Sequence, residues 1–425
     1  MNILVIGSGG REHALCWKFE QSPRVRKLYC ANGNAGIAQI AECPDIKPDE
    51  IDRLADFAAE DSIDLTFVGG ETSLALGVVD EFESRGLRIV GPNRLAAQLE
   101  ASKSFAKDFM TRHDVPTAKY RTANSPASAV ELLESGEFGD ESTPVVVKAD
   151  GLAAGKGVVV AENRAEAIDA INEMAALVGA DAARKIVIEQ CLVGREVSLL
   201  MFADGEDFAL MPPVRDHKRI GDGDKGPNTG GMGTITDSAI LPGDEIEDII
   251  HTIIEPTLSG CINDGFPFRG ILFLGLMMTE TGPMLLEYNV RFGDPETQAI
   301  MVGLETDLVD ICEAMLDGSL STLDIKWRQG SSACVVLASE GYPSKPRIGD
   351  VITGLDKVHE AEVFHAGTKS QSSTTAAVPE FITSGGRVLG VTATGDDLKT
   401  ALSKAYSAVE QINWPGMQYR KDIGR

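Results

Sequence analysis

The chain has 425 residues, which at roughly 100–200 residues per domain allows about two to four domains. Its 43% hydrophobic and 24% charged composition supplies a core to bury and excludes disorder as the main state. With 64 Asp plus Glu against 39 Lys plus Arg, the net charge of −25 excludes a general affinity for nucleic acid or an anionic membrane, so any phosphate must be met by a local cluster of cations and backbone N–H groups.

The first hundred or so residues alternate strand and helix patterns, which predicts a parallel α/β sheet. Ile3–Ile6 is a strand that ends in Gly7-Ser8-Gly9-Gly10, and Glu12–Glu20 is a helix. Val25–Ala31, Leu65–Val68 and Leu87–Val90 are further strands, with a helix around Ile51–Glu60. The loops Asn32–Gly36 and Gly69–Glu71 should lie beside the first turn at the carboxyl edge of the sheet, where open α/β sheets bind ligands. The turn is not a dinucleotide fingerprint. Glu12 stands where the third glycine belongs, and Tyr29-Cys30-Ala31 brings no acid for a ribose. Alone it fits a structural tight turn as well as an anion site.

A helix is predicted over Lys103–His113, followed by strands Pro144–Lys148 and Val158–Ala161. The glycine-rich Gly151–Gly157 joins those strands. It is one residue short of a Walker loop, has Gly157 where Ser or Thr is needed, and leads into a strand. It is a hairpin whose backbone can approach phosphates, with Lys148 and Lys156 adding charge; a plain hairpin is the simpler reading of the loop alone. Next come a helix Arg164–Leu177, a strand Lys185–Glu189, antiparallel strands Val197–Phe202 and Phe208–Met211, and a long helix Glu245–Asp264. Gly270–Thr279 and Pro283–Phe292 form a hairpin. Strand alternation puts Glu287, Asn289 and Arg291 on one face and Tyr288, Val290 and Phe292 on the other. A carboxylate and an amide oxygen two residues apart suit a hard cation that takes the rest of its shell from phosphates and water. Arg291, next on that face, is placed to neutralise a phosphoryl group in transfer.

Arg215-Asp216-His217-Lys218-Arg219 and the glycine loop 226–233 form a basic cluster in an acidic chain. As a lone histidine, His217 reads as structural rather than as a general base. The last section is predicted to hold strands Ser332–Ala338, Lys357–Ala366 and Arg387–Ala393 and a helix Asp396–Ile412. The seven cysteines are scattered with no C-x-x-C, which fits a reducing compartment, and no signal peptide or membrane span is read.

Taken together, GSGGREHA at 7–14, KADGLAAGKGV at 148–158, DHKR at 216–219, GPNTGGMG at 226–233, EYNVRFGDPETQ at 287–298 and RKDIG at 420–424 give a chain that resembles the phosphoribosylamine–glycine ligase (glycinamide ribonucleotide synthetase) family of the ATP-grasp superfamily. The resemblance implies an N-terminal Rossmann-like domain over 1–102, an ATP-grasp domain over 103–325 with a mobile lid at about 117–192, and a small C-terminal α/β domain over 326–425. It implies ligation of glycine to 5-phosphoribosylamine through glycyl phosphate, giving glycinamide ribonucleotide, ADP and phosphate, in purine biosynthesis. ATP is the co-substrate, Mg2+ or Mn2+ the cofactor, and a monomeric, cytoplasmic enzyme without nucleic-acid or membrane partners is expected.

By the same resemblance Lys103, Lys148, Gly155, Lys156, Gly157, Glu189, Leu192 and Glu196 hold ATP, and Glu287 and Asn289 hold the metal. Gly9, Gly10, Arg11, Glu12, Glu71, Asn228 and Gly230 hold the substrates, and Arg291, Asp294, Asp216 and Lys218 face the reacting groups. Two departures stand out. Gly70 replaces the proline usual in the family, and the strand Gly270–Leu274 lacks the metal carboxylate that many ATP-grasp enzymes carry there. Another ATP-grasp carboxylate ligase or carboxylase with a different acceptor is the alternative.

Overall fold

In the computed structural model, residues 1–152, 157–179, 183–371 and 380–425 are described. Four parallel strands open the fold in the order Lys27–Asn32, Asn2–Gly7, Leu65–Val68, Ile89–Val90. Asn2–Gly7 is buried along its whole length, so it runs as an unbroken apolar strand covered on both faces. The three loops of interest meet at its carboxyl end. Gly33 N–H donates to Gly7 O at 3.0 Å, Gly69 N–H to Ile6 O at 3.0 Å, and Asn34 Nδ2 to Ser8 O at 2.8 Å.

A four-stranded antiparallel sheet, in the order Tyr120–Ala123, Ile186–Gln190, Val145–Ala149, Val158–Ala161, forms the region that the family resemblance reads as the lid. Helices Pro126–Glu134 and Arg164–Val178 cover it around Leu133, Val147, Ile171 and Ile188. Ser125 and Asn163 cap these helices by accepting from the backbone N–H groups of Ser128 and Glu166. The lid has a core of its own, separate from the main one.

Nine antiparallel strands make the third sheet. From one edge the order is Gly282–Asn289, Arg269–Thr279, Arg195–Asp204, Val214–Asp216, Gly233–Thr236, Ser331–Ala338, Arg387–Gly395, Glu362–His365, and Phe208–Leu210 also pairs with Arg195–Asp204. The sheet is continuous from the Gly282–Asn289 strand into the C-terminal segment. No described helix is long and apolar enough to cross a membrane.

Several element boundaries differ from the pattern. The strand predicted to reach Phe292 ends at Asn289, because Val290 N–H donates to the Glu100 carboxylate at 2.8 Å instead of to a neighbouring strand. Only Glu362–His365 of the predicted Lys357–Ala366 is strand, since Leu355–Lys357 forms a 3-10 turn. The long helix is helical throughout, but Ile250–Ile254 widens into a π turn just before Pro256. Proline has no N–H to donate, and its ring crowds the carbonyl four residues back, so the turn opens.

Candidate active site

The strand end at 287–294 is the centre of the site. Tyr288, Val290 and Phe292 are buried, alternation turns Glu287 and Asn289 to the other side, and Arg291, just past the strand end, joins them by donating to Asn289 Oδ1. Gly275 stands across the hairpin from Glu287 and Phe273 across from Asn289, so the partner strand brings no second carboxylate. Among the described residues Glu287 makes no hydrogen bond or ion pair. Burial alone would raise its pKa, but Lys218, Lys148, Lys103 and Arg291 together hold it below the usual range. Asn289 Oδ1 accepts from Arg291 Nη2 at 3.1 Å. No group of three His, Cys, Asp or Glu is gathered for a metal among the described residues. A free carboxylate beside an amide oxygen fits a divalent cation of the magnesium type, with phosphates and water completing its shell.

Arg291 is held by two acids from the N-terminal side. Its Nη2 lies 2.6 Å from Glu100 Oε1 and its Nε 3.3 Å from Glu71 Oε2. Burial raises the Glu100 pKa despite Arg291, and Glu71 is lowered because Arg291 and Arg11 outweigh its own burial. Arg11 reaches across with Nη1 to Phe292 O at 3.0 Å, while its Nε lies 2.6 Å from Glu12 Oε1. Glu12 is 2% exposed and accepts Gly9 N–H at 2.6 Å. It therefore sits beneath the turn as the cap of its own helix, with its carboxylate directed at protein groups. Gly69 has to be glycine because a Cβ there would lie 2.6 Å from Glu12 Cγ, whereas a Cβ on Gly70 would meet only Arg11 Nη2 at 3.2 Å.

Asp294 closes the line. Its Oδ1 accepts from Gln298 Nε2 at 2.8 Å, and a Cβ on Gly9 would lie 3.2 Å from its Oδ2, so the first turn and the strand end face each other. Burial pushes its pKa up, but Arg387 and Arg11 prevail and keep it low.

The lysines line the lid side of the cleft. Lys148 Nζ is 2.8 Å from Glu189 Oε1 and donates to Leu286 O at 3.3 Å. Glu189, 1% exposed, is also bound by Lys107 Nζ at 2.9 Å, so its carboxylate is shared between two lysines. Burial lowers the Lys107 pKa to about 8 against the pull of Glu189. Lys103 Nζ donates to Gly151 O at 3.0 Å at the root of the glycine hairpin, and Gly157 O accepts Ala149 N–H at 2.8 Å. Gly155 and Lys156 lie outside the described residues. Leu192 is half-buried in the link from lid to core strand, and Glu196 is exposed, 3.5 Å from Lys218.

Asp216 and Lys218 approach from the opposite rim. Burial and then Glu296 push Asp216 up to about 8. Lys218 is raised because Glu196, Glu287, Asp216 and Glu296 together outweigh desolvation. Between them, His217 is buried and structural, as its sequence setting suggests. Nδ1 faces Gly233 O at 3.0 Å and Nε2 accepts Gly424 N–H at 3.1 Å, a pairing that assigns the proton to Nδ1. Asn228 and Gly230 lie on the same rim, Asn228 in the exposed hairpin of Arg219–Gly221 and Lys225–Asn228.

Four contributors escaped the sequence reading: Glu100, Lys107, Glu296 and Arg387. Each joins the site through a partner 82 or more residues away, or, for Glu296, through buried charge alone; no local spacing marks them.

Comparison with known proteins matches three family models in succession. Phosphoribosylglycinamide synthetase N domain covers residues 1–100, its ATP-grasp (A) domain residues 101–297 and its C domain residues 332–425. The chain is 47% identical over 431 residues to the phosphoribosylamine–glycine ligase of Xanthomonas axonopodis pv. citri, covering 100% of this chain and 97% of that one. The crystal structure of phosphoribosylamine–glycine ligase from Thermotoga maritima superposes with a TM-score of 0.85 at 32% identity, over 100% of both chains. The biotin carboxylase domain of Hydrogenobacter thermophilus 2-oxoglutarate carboxylase, at 17% identity and a TM-score of 0.73 over 98% of this chain and 91% of that one, shares the fold.

Proposed function

The chain belongs to the phosphoribosylglycinamide synthetase family, and from that premise we propose that glycyl phosphate forms and reacts in the cleft between the turn at 7–10 and the strand end at 287–294. The reaction is the ATP-dependent ligation of glycine to 5-phosphoribosylamine in purine biosynthesis. A carboxylate is a poor acylating agent, so a glycine oxygen attacks the γ-phosphorus and the bond to ADP breaks. The amine of phosphoribosylamine then attacks the acyl carbon, phosphate departs, and the nitrogen sheds a proton.

The first step brings two anions together, and in our reading Arg291 and Lys218 offset that repulsion from opposite rims. Arg291 is preorganised for it, since Glu71, Glu100 and Asn289 fix the guanidinium before substrate arrives. Glu287 and Asn289 would hold Mg2+ or Mn2+, which supplies further positive charge to the phosphoryl oxygens when bound. Lys103 and Lys148 would bind the ATP phosphates, Lys148 being released from Glu189 while Lys107 continues to neutralise that acid. Asp294, kept ionised beside the first turn, would orient an amino group. Gly9, Gly10, Arg11 and Glu71 would form the phosphoribosylamine side of the cleft, with Glu12 supporting the turn from below.

The observation that supports this reading is the approach of Asp294, its pKa held low, to the 7–10 turn, between the end of the Gly282–Asn289 strand and the carboxyl edge of the parallel sheet. Glycine carrying heavy oxygen in its carboxylate tests it. One labelled oxygen is expected in the released phosphate, with ADP formed only when glycine and phosphoribosylamine are both present. Label-free phosphate would exclude the acyl phosphate, and turnover with another acceptor alone would favour a different ATP-grasp ligase.

A further inference from the structure

We propose that Arg387, at the start of the C-terminal strand Arg387–Gly395, is a positioning residue of the ligation centre, fixing Asp294 and the glycine loop at 230–231 with one guanidinium. The inference rests on the reading of Asp294 given above. Nη2 lies 3.3 Å from Asp294 Oδ2, and Nη1 donates to Asp294 O at 2.6 Å. Nη1 also donates to Gly230 O and lies 3.5 Å from Gly231 O. Gln298 Nε2 occupies the other Asp294 oxygen at 2.8 Å, so the carboxylate has one orientation. Gly230 is held a second time, its N–H donating to Tyr342 Oη at 3.1 Å. Three stretches of chain, around 230, 294 and 387, thus converge on a planar cation.

The fork geometry matters. Arginine presents several donors in a fixed plane, whereas a lysine ammonium is a single compact charge that cannot bridge a carboxylate and several carbonyls at once. Arg387 also does more than Arg11 to offset the burial of Asp294. The other charged groups facing this acid are Arg11 from the first helix and Glu296 from the helix that follows, and Asp216 and Glu296 lie in turn within the field of Arg387. A brace that only joined domains would not need to end on a carboxylate at the reaction centre.

Arg387→Gln is expected to lower kcat/KM for glycine and for phosphoribosylamine by on the order of 100-fold, the cost of a misplaced reacting group. ATP affinity should be unchanged, because Arg387 touches none of the ATP-side lysines. The acid limb of the kcat/KM profile should move to higher pH, since Asp294 loses its nearest cation. Arg387→Lys should restore the acid limb while leaving most of the rate loss, and it reads the same split should Arg387→Gln not fold. In an Asp294→Asn background, Arg387→Gln should add little further loss. Normal kinetics for Arg387→Gln beside a defective Asp294→Asn would overturn the role of Arg387 alone. Full turnover by Asp294→Asn would remove the reading of Asp294 and the inference with it. Losses that simply add, or that include ATP affinity, would reduce Arg387 to a structural brace.

Discussion

Two rims bring positive charge to the same cleft, and they are built in opposite ways. At the strand end, Arg291 is 16% exposed and Arg11 12%, and each is locked by acids that are themselves largely buried. On the facing rim, residues 225–228 are all exposed, and the hairpin that carries them is tied down from outside by the chain terminus. Arg420 grips Asp422 through two bonds of 2.8 Å and reaches Asp224 at 2.6 Å. Asp422 accepts Gly223 N–H at 2.7 Å, and Asp222 accepts Lys421 N–H at 2.7 Å. In the function proposed above, the first rim is set before substrate binds and lowers the reaction barrier. The second carries Lys218, but its hairpin is held by an outlying strap that ends on the exposed Asp224, so loss of the strap should alter stability more than chemistry.

Arg291→Ala is the strongest way to break this contrast. Removing a preorganised cation from a dry site should reduce turnover on the order of 1000-fold, about 4 kcal/mol of barrier. The fold should survive, because Glu100, already raised in pKa by burial, can take up a proton when its partner leaves. Steady-state rates beside a urea unfolding curve check both halves. Near-normal turnover would show that the buried rim carries no catalytic charge.

Gly69→Ala sharpens the comparison from beneath the turn. The added methyl would overlap the Glu12 carboxylate and push it from Gly9 N–H. Such overpacking should cost about 1–3 kcal/mol of stability. A displaced turn should raise KM for phosphoribosylamine about tenfold. Gly70→Ala is the control, since that position meets only one guanidinium nitrogen. Equal behaviour of the two variants would mean that Glu12 does not set the turn.

How far each rim could be read from the sequence follows from how it is built. Alternation along 287–292 gave the face of Glu287, Asn289 and Arg291, because strand geometry is local. The meeting of the loops at 7, 33 and 69 followed equally from a parallel sheet and its carboxyl edge. What alternation could not supply was Glu100, which ends the strand at Asn289 and holds Arg291 across 191 residues. Glu12 stood as a substrate contact through family resemblance alone, and its burial and cap geometry turn it toward the protein. On the strap, the terminal RKDIG matched a family pattern without revealing a purpose. Its partners lie about 200 residues back, and an ion pair between distant loops has no period to detect.

Asp422→Asn tests the strap where its physics is simplest. The Arg420 guanidinium and Gly223 N–H hold Asp422 well below the usual aspartate range. A depressed folded pKa means that the ionised form is bound more tightly in the folded state, so its stabilisation is complete above the unfolded value of about 3.9 and is lost as pH falls through the folded one. The guanidinium is 2% exposed and the carboxylate 18%, so solvent screens the pair only in part, and the charge should contribute about 1.5–3 kcal/mol. Asn cannot ionise, so urea midpoints of the variant and the native chain should differ at pH 7, approach each other below about pH 4, and meet in stronger acid. Turnover at pH 7 should change less than about threefold, since no group of the strap touches the phosphoryl path. A constant gap in stability across that pH range would mean that shape rather than charge holds the hairpin. A collapse of activity would mean that the exposed rim, like the buried one, is set for the chemistry.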